Sequence, residues 1–386
     1  MKDISISESI RYIGADDRDL DLFEGQYIIP EGMAYNSYVI LDEKIAVMDT
    51  IDIRRTEGWL TNLKEALGGR KPDYLVVSHM EPDHAASIQA LVEAYPDIQI
   101  VGNAKTFTMI GQFFDLDIAG RTLPVKEGDT LELGTHTLQF FMAPMVHWPE
   151  VMVTYESTEK VLFSADAFGK FGALDAEEDW ACEARRYYFN IVGKYGAQAQ
   201  SLLKKAAGLD IQIICPLHGP ILKENLEYYI GKYNTWSSYE PEDKGIFIAY
   251  ASIYGNTKKA ALKLADLLRA AGAEKVSMAD LARDDMAEAL EDAFRYDRMV
   301  LAAPTYDGGI FPCMEEFLQH LKGKNYQKRT VGIIENGSWA PASGRLMKAA
   351  LEAMKGIIVV EPVVSIKSSM KEATLAQLEE LVKALV

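Results

Sequence analysis

Cysteine is scarce in this sequence. Cys182, Cys215 and Cys313 are the three cysteines, an odd number, spaced far apart and without a CxxC pair. Disulfide scaffolds, cysteine zinc sites and bound iron–sulfur clusters depend on paired or clustered cysteines. The sequence therefore predicts none of these, and it favours the reducing cytoplasm as the location of the protein.

Long apolar runs and an excess of positive charge are also missing. No apolar stretch approaches the roughly 18 residues of a membrane-spanning helix, and the start of the chain, MKDISISESI, lacks the apolar core of a signal peptide. Acidic residues number 57 against 40 basic ones, which gives a formal net charge of −17. A surface this negative repels phosphate backbones and anionic lipid, so neither nucleic acid nor a membrane is expected as a partner.

The sequence does contain enough chain for two folded domains. Its 386 residues correspond to about two or three domains. The polar, proline-containing stretch at 237–245 is typical of a linker. We expect a first domain over 1–244, in which short β-rich runs alternate with amphipathic helices such as 56–67 and 85–95.

The second domain, expected over 245–386, has a more regular pattern. Near-continuous apolar strands alternate with helices, beginning with a strand over 245–250 and a helix over 257–272. The pattern ends with a strand over 357–366 and a helix over 374–385. Such alternation predicts an α/β domain with a doubly wound parallel sheet.

The motif SHMEPDHA at 78–85 concentrates metal-binding side chains directly after an expected strand. His79, Glu81, Asp83 and His84 fall within six residues. Polar groups held so close together would repel one another or stay unpaired unless a cation joined them. The motif therefore predicts a metal site at the carboxyl end of this strand.

Three further residues of the same type follow other expected strands. His147, Asp166 and His218 stand at or just after strand ends, so that four of the six histidines occupy such positions. The other two, His136 and His320, are interpreted as ordinary structural or solvated residues. Imidazole and carboxylate donors without a thiolate suit two iron ions better than a soft metal.

In this order, the metal-binding residues resemble the pattern of the metallo-β-lactamase superfamily. Glu81 stands where the hydrolases of that superfamily usually have histidine, which narrows the resemblance to the flavodiiron proteins, also called A-type flavoproteins. The segments 32–40 (GMAYNSYVI), 163–169 (FSADAFG) and 217–221 (LHGPI) are similar to signatures of the same family. The resemblance covers essentially the whole chain. It implies an αββα metallo-β-lactamase-like sandwich followed by a flavodoxin-like domain.

The resemblance also implies how the metal ligands divide between two irons. By analogy, His79, Glu81 and His147 bind one iron and Asp166 bridges to the second, whose own ligands are Asp83, His84 and His218. A zinc-dependent hydrolase of the metallo-β-lactamase type, with an appended flavin domain, stays open as the alternative.

The second domain begins with a loop suited to a phosphate group. The segment 252–257 lies between a strand and a helix, where backbone N–H groups and the helix dipole favour a phosphate monoester. It has neither a lysine in the Walker position nor a GxGxxG pattern, so a nucleoside triphosphate or a dinucleotide is not expected. Taken alone, the loop is equally compatible with a simple helix cap. Further loops at 303–312 and 335–344 follow later strands, where ligands bind in doubly wound folds.

Together the three loops resemble a flavodoxin, which implies FMN as the cofactor. Tyr306 and Trp339 are the rings expected to flank the isoalloxazine, and glycines let the backbone approach it. The expected FMN contacts are Ser252, Ile253, Tyr254, Gly255, Asn256, Thr257, Pro304, Thr305, Tyr306, Asp307, Gly308, Gly309, Asn336, Gly337, Ser338 and Trp339.

A flavin beside a diiron site implies an oxidoreductase. Reduced FMN and two ferrous ions hold four electrons, which is the number needed to reduce O2 to water, and two electrons convert two NO to N2O and water. The expected function is reduction of O2, NO or both, as a scavenger under oxygen or nitrosative stress. A redox sensor that keeps the fold without turnover is a further alternative.

The family resemblance adds a catalytic residue and partners. Tyr195 matches a tyrosine near the irons of the family and is expected to donate a proton or a hydrogen bond to bound oxygen, with an ordinary helix aromatic as the alternative. The expected electron donor is a separate protein, a rubredoxin or a rubredoxin reductase chain, with a reduced deazaflavin as the alternative. The expected assembly is a head-to-tail homodimer or a dimer of dimers, in which the flavin of one subunit faces the irons of the other.

Overall fold

A computed structural model describes Ile4 and residues 6–386 of the chain. The chain folds into two compact units. The first runs to Tyr188 and resumes at 197–234, and the second comprises 189–196 and 235–386. The domain division predicted at residues 244 and 245 stays a prediction.

The first unit contains two larger sheets and two small strand pairs. Its strands are β1 (Ile10–Tyr12), β2 (Ala15–Asp17), β3 (Leu22–Phe23), β4 (Tyr27–Ile28), β5 (Met33–Tyr35), β6 (Tyr38–Ile40), β7 (Ala46–Met48), β8 (Tyr74–Val76), β9 (Gln99–Gly102), β10 (Thr122–Pro124), β11 (Thr130–Glu132), β12 (Thr137–Met142), β13 (Met152–Glu156), β14 (Val161–Phe163) and β15 (Ile213–Cys215).

The two sheets are mixed. The first has the order β1-β6-β7-β8-β9-β10, antiparallel up to β7 and parallel from β7 to β10. The second has the order β11-β12-β13-β14-β15, in which only β14 and β15 run parallel. The pairs β2–β5 and β3–β4 are antiparallel.

One apolar core joins both sheets of the first unit. Met48 and Val76 of the first sheet belong to the same buried cluster as Phe140 and Phe163 of the second. Burial of a side chain of this size stabilises the fold by about 1.5–3 kcal/mol. The two sheets therefore pack face to face as a sandwich, as the fold resemblance implies.

Helices follow the strands of the first unit. They are α1 (Thr56–Leu67), α2 (Pro82–Ala85), α3 (Ile88–Ala94), α4 (Ala104–Phe113), α5 (Trp180–Tyr187), α6 (Gly196–Ala206) and α7 (Leu226–Ser237). The helix predicted over 56–67 is confirmed as α1, with Trp59, Leu63 and Leu67 buried along one face. The prediction of one helix over 85–95 is wrong in its start and its continuity. The structure has two helices here: α2 begins earlier, at Pro82, and α3 begins at Ile88. The fixed φ of proline suits the first turn of a helix.

The second unit is built around a largely parallel sheet. Its strands are β16 (Asp243–Tyr250), β17 (Val276–Asp280), β18 (Tyr296–Tyr306), β19 (Gly309–Ile310), β20 (Thr330–Asn336), β21 (Ile358–Val359) and β22 (Val364–Ile366), and its helices are α8 (Asn256–Ala270), α9 (Met286–Arg295), α10 (Pro312–Gly323), α11 (Ser343–Glu352) and α12 (Glu372–Leu385). The order is β17-β16-β18-β20-β21, with β22 also parallel to β20 and β19 antiparallel to β18. The predicted doubly wound parallel sheet is confirmed.

The last predicted strand, 357–366, is wrong as a single strand. The structure has two short strands, β21 and β22, separated by a segment that includes Pro362. Proline lacks the N–H that a ladder needs, and for this reason it interrupts pairing within a sheet. In the part of the chain that the structure describes, no helix is both long and apolar enough to cross a membrane.

Candidate metal centre and flavin cleft

The predicted metal ligands of the motif at 78–85 lie at the carboxyl end of β8. His79 and Glu81 lie in the loop that leaves this strand, and Asp83 and His84 lie on the short helix α2. Pro82 starts that helix one residue after Glu81, so the backbone turns between the first and the second pair of ligands. The four side chains therefore divide between a loop and a helix although they are nearly adjacent in sequence.

All seven predicted ligands gather in the first unit, in a cluster that we call the metal pocket. One group of donor atoms within 4.8 Å of one another comprises His79, Glu81, His147 and Asp166. The other such group comprises Asp83, His84 and His218. The structure thus brings together residues from strand ends spread over about 140 positions of the sequence, from His79 to His218.

Asp166 lies between the two groups. Its Oδ2 is 3.3 Å from Nε2 of His79 and 3.1 Å from Nε2 of His147. Its Oδ1 is 3.7 Å from Nε2 of His218, in the other group. One carboxylate therefore presents one oxygen to each group, which is the arrangement that a bridging ligand requires.

The remaining distances are short in both groups. Nε2 of His147 is 3.0 Å from Oε2 of Glu81. In the second group, Nε2 of His218 is 3.2 Å from Oδ2 of Asp83 and 3.1 Å from Nε2 of His84. The histidines thus direct Nε2 inward in both groups, toward the carboxylates.

The donor atoms fit metal ions better than they fit one another. Both side-chain oxygens of Asp83, both of Asp166 and Nε2 of His147 are buried and have no hydrogen-bond partner among the described residues. Leaving so many buried polar atoms unpaired is costly in a protein interior. Cations held between nitrogen and oxygen donors would satisfy them together, and this donor set suits iron.

The pKa values follow from burial and the carboxylates. Burial lowers the pKa of His84 to about 4, against the opposing effect of Asp83. Burial also disfavours the charged form of His147, but the neighbouring carboxylates of Asp166 and Glu81 outweigh it and raise its pKa to about 9. His84 is therefore neutral at pH 7, as a metal ligand must be, whereas His147 would have to lose a proton in order to bind a metal.

Aromatic rings surround the metal pocket. The rings of Phe23, Tyr35 and Tyr187 lie 5.6, 6.1 and 5.4 Å from the ring of His218. Trp148 lies 5.2 Å from His79 in an edge-on arrangement. Sequence reasoning misses these residues because aromatic side chains beside buried strands look like ordinary core, although Trp148 directly follows a predicted ligand.

Tyr195 falls in the second unit of the chain, within the segment 189–196. The side chain is half-buried, with the ammonium of Lys194 5.8 Å from the centre of its ring. Within the first unit, the tyrosines beside the predicted ligands are Tyr35 and Tyr187.

The three predicted loops line a cavity of about 650 Å³ in the second unit, which we call the flavin cleft. The predicted residues on its wall are Ser252, Ile253, Tyr254, Asn256, Thr257, Pro304, Thr305, Asp307, Gly308, Asn336, Gly337, Ser338 and Trp339. Gly255, Tyr306 and Gly309 are not part of this wall. The ring of Tyr306 instead packs edge-on against Phe311, with 5.6 Å between the ring centres.

The first loop of the flavin cleft is shaped for a helix start. Gly255 adopts a positive φ of 86°, which glycine tolerates without strain, and its N–H donates to Oγ of Ser252 at 3.1 Å. Helix α8 begins at the next residue, Asn256. The N–H groups of its first turn are the donors that favour a phosphate group.

The other two loops are held by side chains. Oγ1 of Thr305 accepts hydrogen bonds from the N–H groups of Ala342 and Ser343, so this predicted flavin contact also caps helix α11. Asn336 exchanges hydrogen bonds at 3.1 Å with the backbone of Ser368. Ser368, which follows the last strand, lines the cleft as well and is not predicted, because a serine in an unremarkable loop carries no local signal.

Comparison with known proteins identifies both units. Residues 33–219 match the family described as ODP family beta lactamase, and residues 247–354 match the flavodoxin domain family. The nitric oxide reductase of Moorella thermoacetica is 30% identical over 93% of this chain and 92% of its own. The rubredoxin oxygen:oxidoreductase of Desulfovibrio gigas superposes with a TM-score of 0.91 at 28% identity, over 99% of this chain and 97% of that chain.

A second solved structure gives the same result. The flavodiiron protein of Giardia intestinalis superposes with a TM-score of 0.91 at 25% identity, over the whole of this chain and 97% of that chain. A zinc hydrolase with an appended flavin domain is not supported, because the proteins that are similar through both units are named as oxidoreductases. The chain belongs to the flavodiiron protein family, oxidoreductases whose cofactors are FMN and a non-haem pair of iron ions.

Proposed function

We propose that this protein reduces O2 to water, NO to N2O, or both, at the metal pocket, with electrons delivered through FMN. The observation that carries the proposal is the position of Asp166, whose two oxygens face two separate groups of nitrogen and oxygen donors. Two ferrous irons and reduced FMN together supply up to four electrons, which is enough to reduce O2 to water, whereas the reduction of two NO to N2O requires two electrons. The names of the similar proteins support both gases.

We further propose a division of the metal ligands. His79, Glu81 and His147 hold one iron, Asp166 bridges, and the second iron is held by Asp83, His84 and His218. The inward direction of the Nε2 atoms and the unpaired carboxylate oxygens support this assignment. The low pKa of the buried His84 favours its neutral form as a ligand.

FMN binding is assigned to the three loops of the second unit. The first turn of α8 would hold the phosphate group, because Ser252, Asn256 and Thr257 offer polar groups there beside the backbone N–H donors. Trp339 and Tyr254 supply exposed rings for the isoalloxazine. The remaining predicted contacts, Gly255, Tyr306 and Gly309 included, stay predictions.

The residues around the metal pocket limit the water that reaches it. Phe23, Tyr35, Trp148 and Tyr187 are ring neighbours of the metal ligands. A dry pocket strengthens every electrostatic interaction within it and protects reactive species from side reactions. Tyr195 as a proton donor also stays a prediction, and Tyr195→Phe tests it against Tyr187→Phe.

The partners follow from the family. We propose a rubredoxin as the electron donor, on the strength of the name of the similar Desulfovibrio gigas enzyme, and a head-to-tail homodimer or dimer of dimers as the assembly. We propose the cytoplasm as its place, because the three cysteines do not form a disulfide pattern. Light scattering over a dilution series, combined with turnover, tests whether activity needs the dimer.

Stopped-flow measurement tests the function itself. Protein with two irons and one FMN per chain, photoreduced without oxygen, is mixed with O2 or with NO, and flavin reoxidation is followed. We expect fast consumption of at least one gas by the iron form and none by the same protein loaded with zinc. Equal rates for the iron and zinc forms would overturn the proposal, because flavin alone would then account for the reaction.

A further inference from the structure

Glu150 lies directly behind one of the proposed metal ligands. It is 1% exposed and stands in the loop between β12 and β13. Its Oε1 is 3.1 Å from Nδ1 of His79 and accepts a hydrogen bond of 2.8 Å from the N–H of Met80. The backbone carbonyl of Glu150 accepts from the side chain of Asn103 at 2.6 Å, which fixes the loop that carries it.

The contact with Glu150 decides which nitrogen of His79 carries the proton. An ionised carboxylate only accepts hydrogen bonds, so the nitrogen facing it must donate. The N–H of Met80 already donates to Oε1 of Glu150, so this oxygen acts as an acceptor, and Nδ1 of His79 is its second donor. In the neutral ring, a proton on Nδ1 leaves Nε2 as the atom that can bind a metal, and Nε2 lies 3.1 Å from Glu81 and 3.3 Å from Asp166.

The other histidines of the metal pocket are held differently. Nδ1 of His218 donates to a neutral partner, the backbone carbonyl of Ala34, at 2.8 Å. Nδ1 of His84 has no hydrogen-bond partner within the described residues. Of these two and His79, only His79 is backed by a negative charge, so the two groups of donors differ in charge as well as in composition.

A carboxylate in this place changes how strongly a metal is held. A hydrogen bond from the outer nitrogen of a ligating imidazole to a carboxylate fixes the ring orientation and raises the basicity of the other nitrogen. A buried charge acts strongly because little water screens it. The effect falls on the metal position that His79 shares with Glu81, His147 and Asp166.

We propose that Glu150 is a positioning residue, which fixes the tautomer of His79 and selectively strengthens iron binding at the His79 position. The proposal rests on the proposed function in taking this donor group as an iron site. It goes beyond the division of ligands, because it assigns unequal affinity to the two positions and names the residue responsible.

Glu150→Gln tests the charge with little change in shape, because the amide oxygen can still accept from Met80 and His79. The matched control is Glu156→Gln: Glu156 is also a buried carboxylate of the first unit, but it accepts from the N–H groups of Thr158 and Glu159 and contacts no metal ligand. Holoprotein with ferrous iron is challenged with increasing chelator without oxygen. Iron and FMN per chain are measured, and anomalous diffraction identifies the depleted position.

We expect Glu150→Gln to lose the iron at the His79 position at about 10- to 100-fold lower chelator concentration than the wild type. The iron at the His218 position, the FMN content and the Glu156→Gln control stay at wild-type values. An unchanged chelator profile, or equal weakening at both positions, overturns the inference. A wild-type protein that holds fewer than two irons would instead contradict the proposed function.

Glu150→Asp keeps the inference falsifiable if the glutamine variant does not fold. It keeps the charge but withdraws it from Nδ1 by one methylene group. We expect weaker iron retention at the His79 position alone. When both variants fold, the loss of iron retention in Glu150→Asp should be smaller than that in Glu150→Gln. Retention equal to the wild type, or a loss shared by both positions, overturns the proposal.

Discussion

The metal pocket and the flavin cleft, the two proposed cofactor sites, are built in opposite ways. In the metal pocket, His79, His84, Asp166 and His218 are each at most 1% exposed. In the flavin cleft, the ring of Trp339 is 92% exposed. A metal ion is held by a few directional donor atoms, which the fold must position and shield from water. A flat cofactor is instead held by contacts spread over the large area of its own rings. The metal pocket is therefore built from buried side chains of the first unit, whereas the flavin cleft is built from loops at the surface of the second unit.

This difference predicts which substitutions remain local. Removing a donor from the metal pocket leaves other buried charges without a partner, so the loss spreads to neighbouring ligands. Changing an exposed ring of the flavin cleft removes contacts to the flavin and almost none within the protein. The substitutions below test this contrast, from the largest expected effect to the smallest.

The largest effect is expected for Asp166→Asn. The substitution removes the negative charge that faces both donor groups, so we expect both irons to be lost. Turnover with O2 and NO should fall by at least about 1,000-fold, because the metals supply the reacting site. Metal analysis and stopped-flow kinetics measure the two losses. FMN content should stay at one per chain, and a variant that keeps both irons would contradict the bridging role.

The matching substitution in the flavin cleft is Ser252→Asp. The hydroxyl of Ser252 accepts from the N–H of Gly255, and aspartate keeps an acceptor there but adds a charge near the proposed phosphate position. Two like charges about 5 Å apart repel by roughly 3 kcal/mol at an effective dielectric constant of about 20. FMN affinity should therefore fall about 100-fold, as measured by fluorescence titration.

Ser252→Asn is the neutral control for this substitution. It should bind FMN within a few-fold of the wild type, and both variants should keep two irons. Equal weakening by aspartate and asparagine would place the phosphate elsewhere. Loss of iron in either variant would contradict the prediction that substitutions in the flavin cleft have only local effects.

The two sites also differ in how well the sequence predicts them. The clustering of the proposed metal ligands is predicted because they follow strand ends, which meet here from both sheets of the first unit, and because histidine is rare in this chain: four of its six histidines lie in the cluster. Glu150 is not predicted, although it lies 3.1 Å from His79, because a glutamate in a loop carries no signal until the fold brings it behind a ligand.

The flavin cleft is predicted as loops rather than as contacts. Strand and helix periodicity predicts that loops follow β16, β18 and β20, and all three line the cavity. The role of a single side chain depends on tertiary packing. Thr305 caps α11 and Tyr306 packs on Phe311, and neither fact follows from local sequence. Ser368 reaches the cavity from a loop 29 positions after Trp339, the last predicted contact.

A smaller effect is expected for Trp339→Ala. Aromatic stacking contributes about 0.5–1.5 kcal/mol, so FMN affinity should fall by roughly 3- to 10-fold. The unfolding midpoint of the FMN-free protein should not change, because the ring is almost fully exposed. Thermal unfolding by circular dichroism, with and without FMN, measures both. A lower midpoint without FMN would show that Trp339 packs on protein and not on the flavin.

The smallest effect on the two sites is expected for a histidine of the first unit that has carboxylate neighbours but is not a proposed metal ligand. Nδ1 of His136 is 2.9 Å from Asp42, and Nε2 is 3.2 Å from Glu159. Burial disfavours its charged form, but the bonds to Asp42 and Glu159 outweigh burial and raise the pKa of His136. At His136, a proton balances the charge of the neighbouring carboxylates, as a metal ion would in the metal pocket.

The sign of the pH dependence follows from this shift. A raised pKa in the folded state means that protonated His136 stabilises the fold below its unfolded value of about 6.5, and that this stability is lost as pH rises through the folded value. His136→Gln should cost about 1–2 kcal/mol near pH 6 and less at pH 9, as measured by chemical unfolding at both pH values. A loss of stability that grows with pH would mean that neutral His136 supports the fold by packing. It would contradict the prediction that the protonated form stabilises the fold through the neighbouring carboxylates.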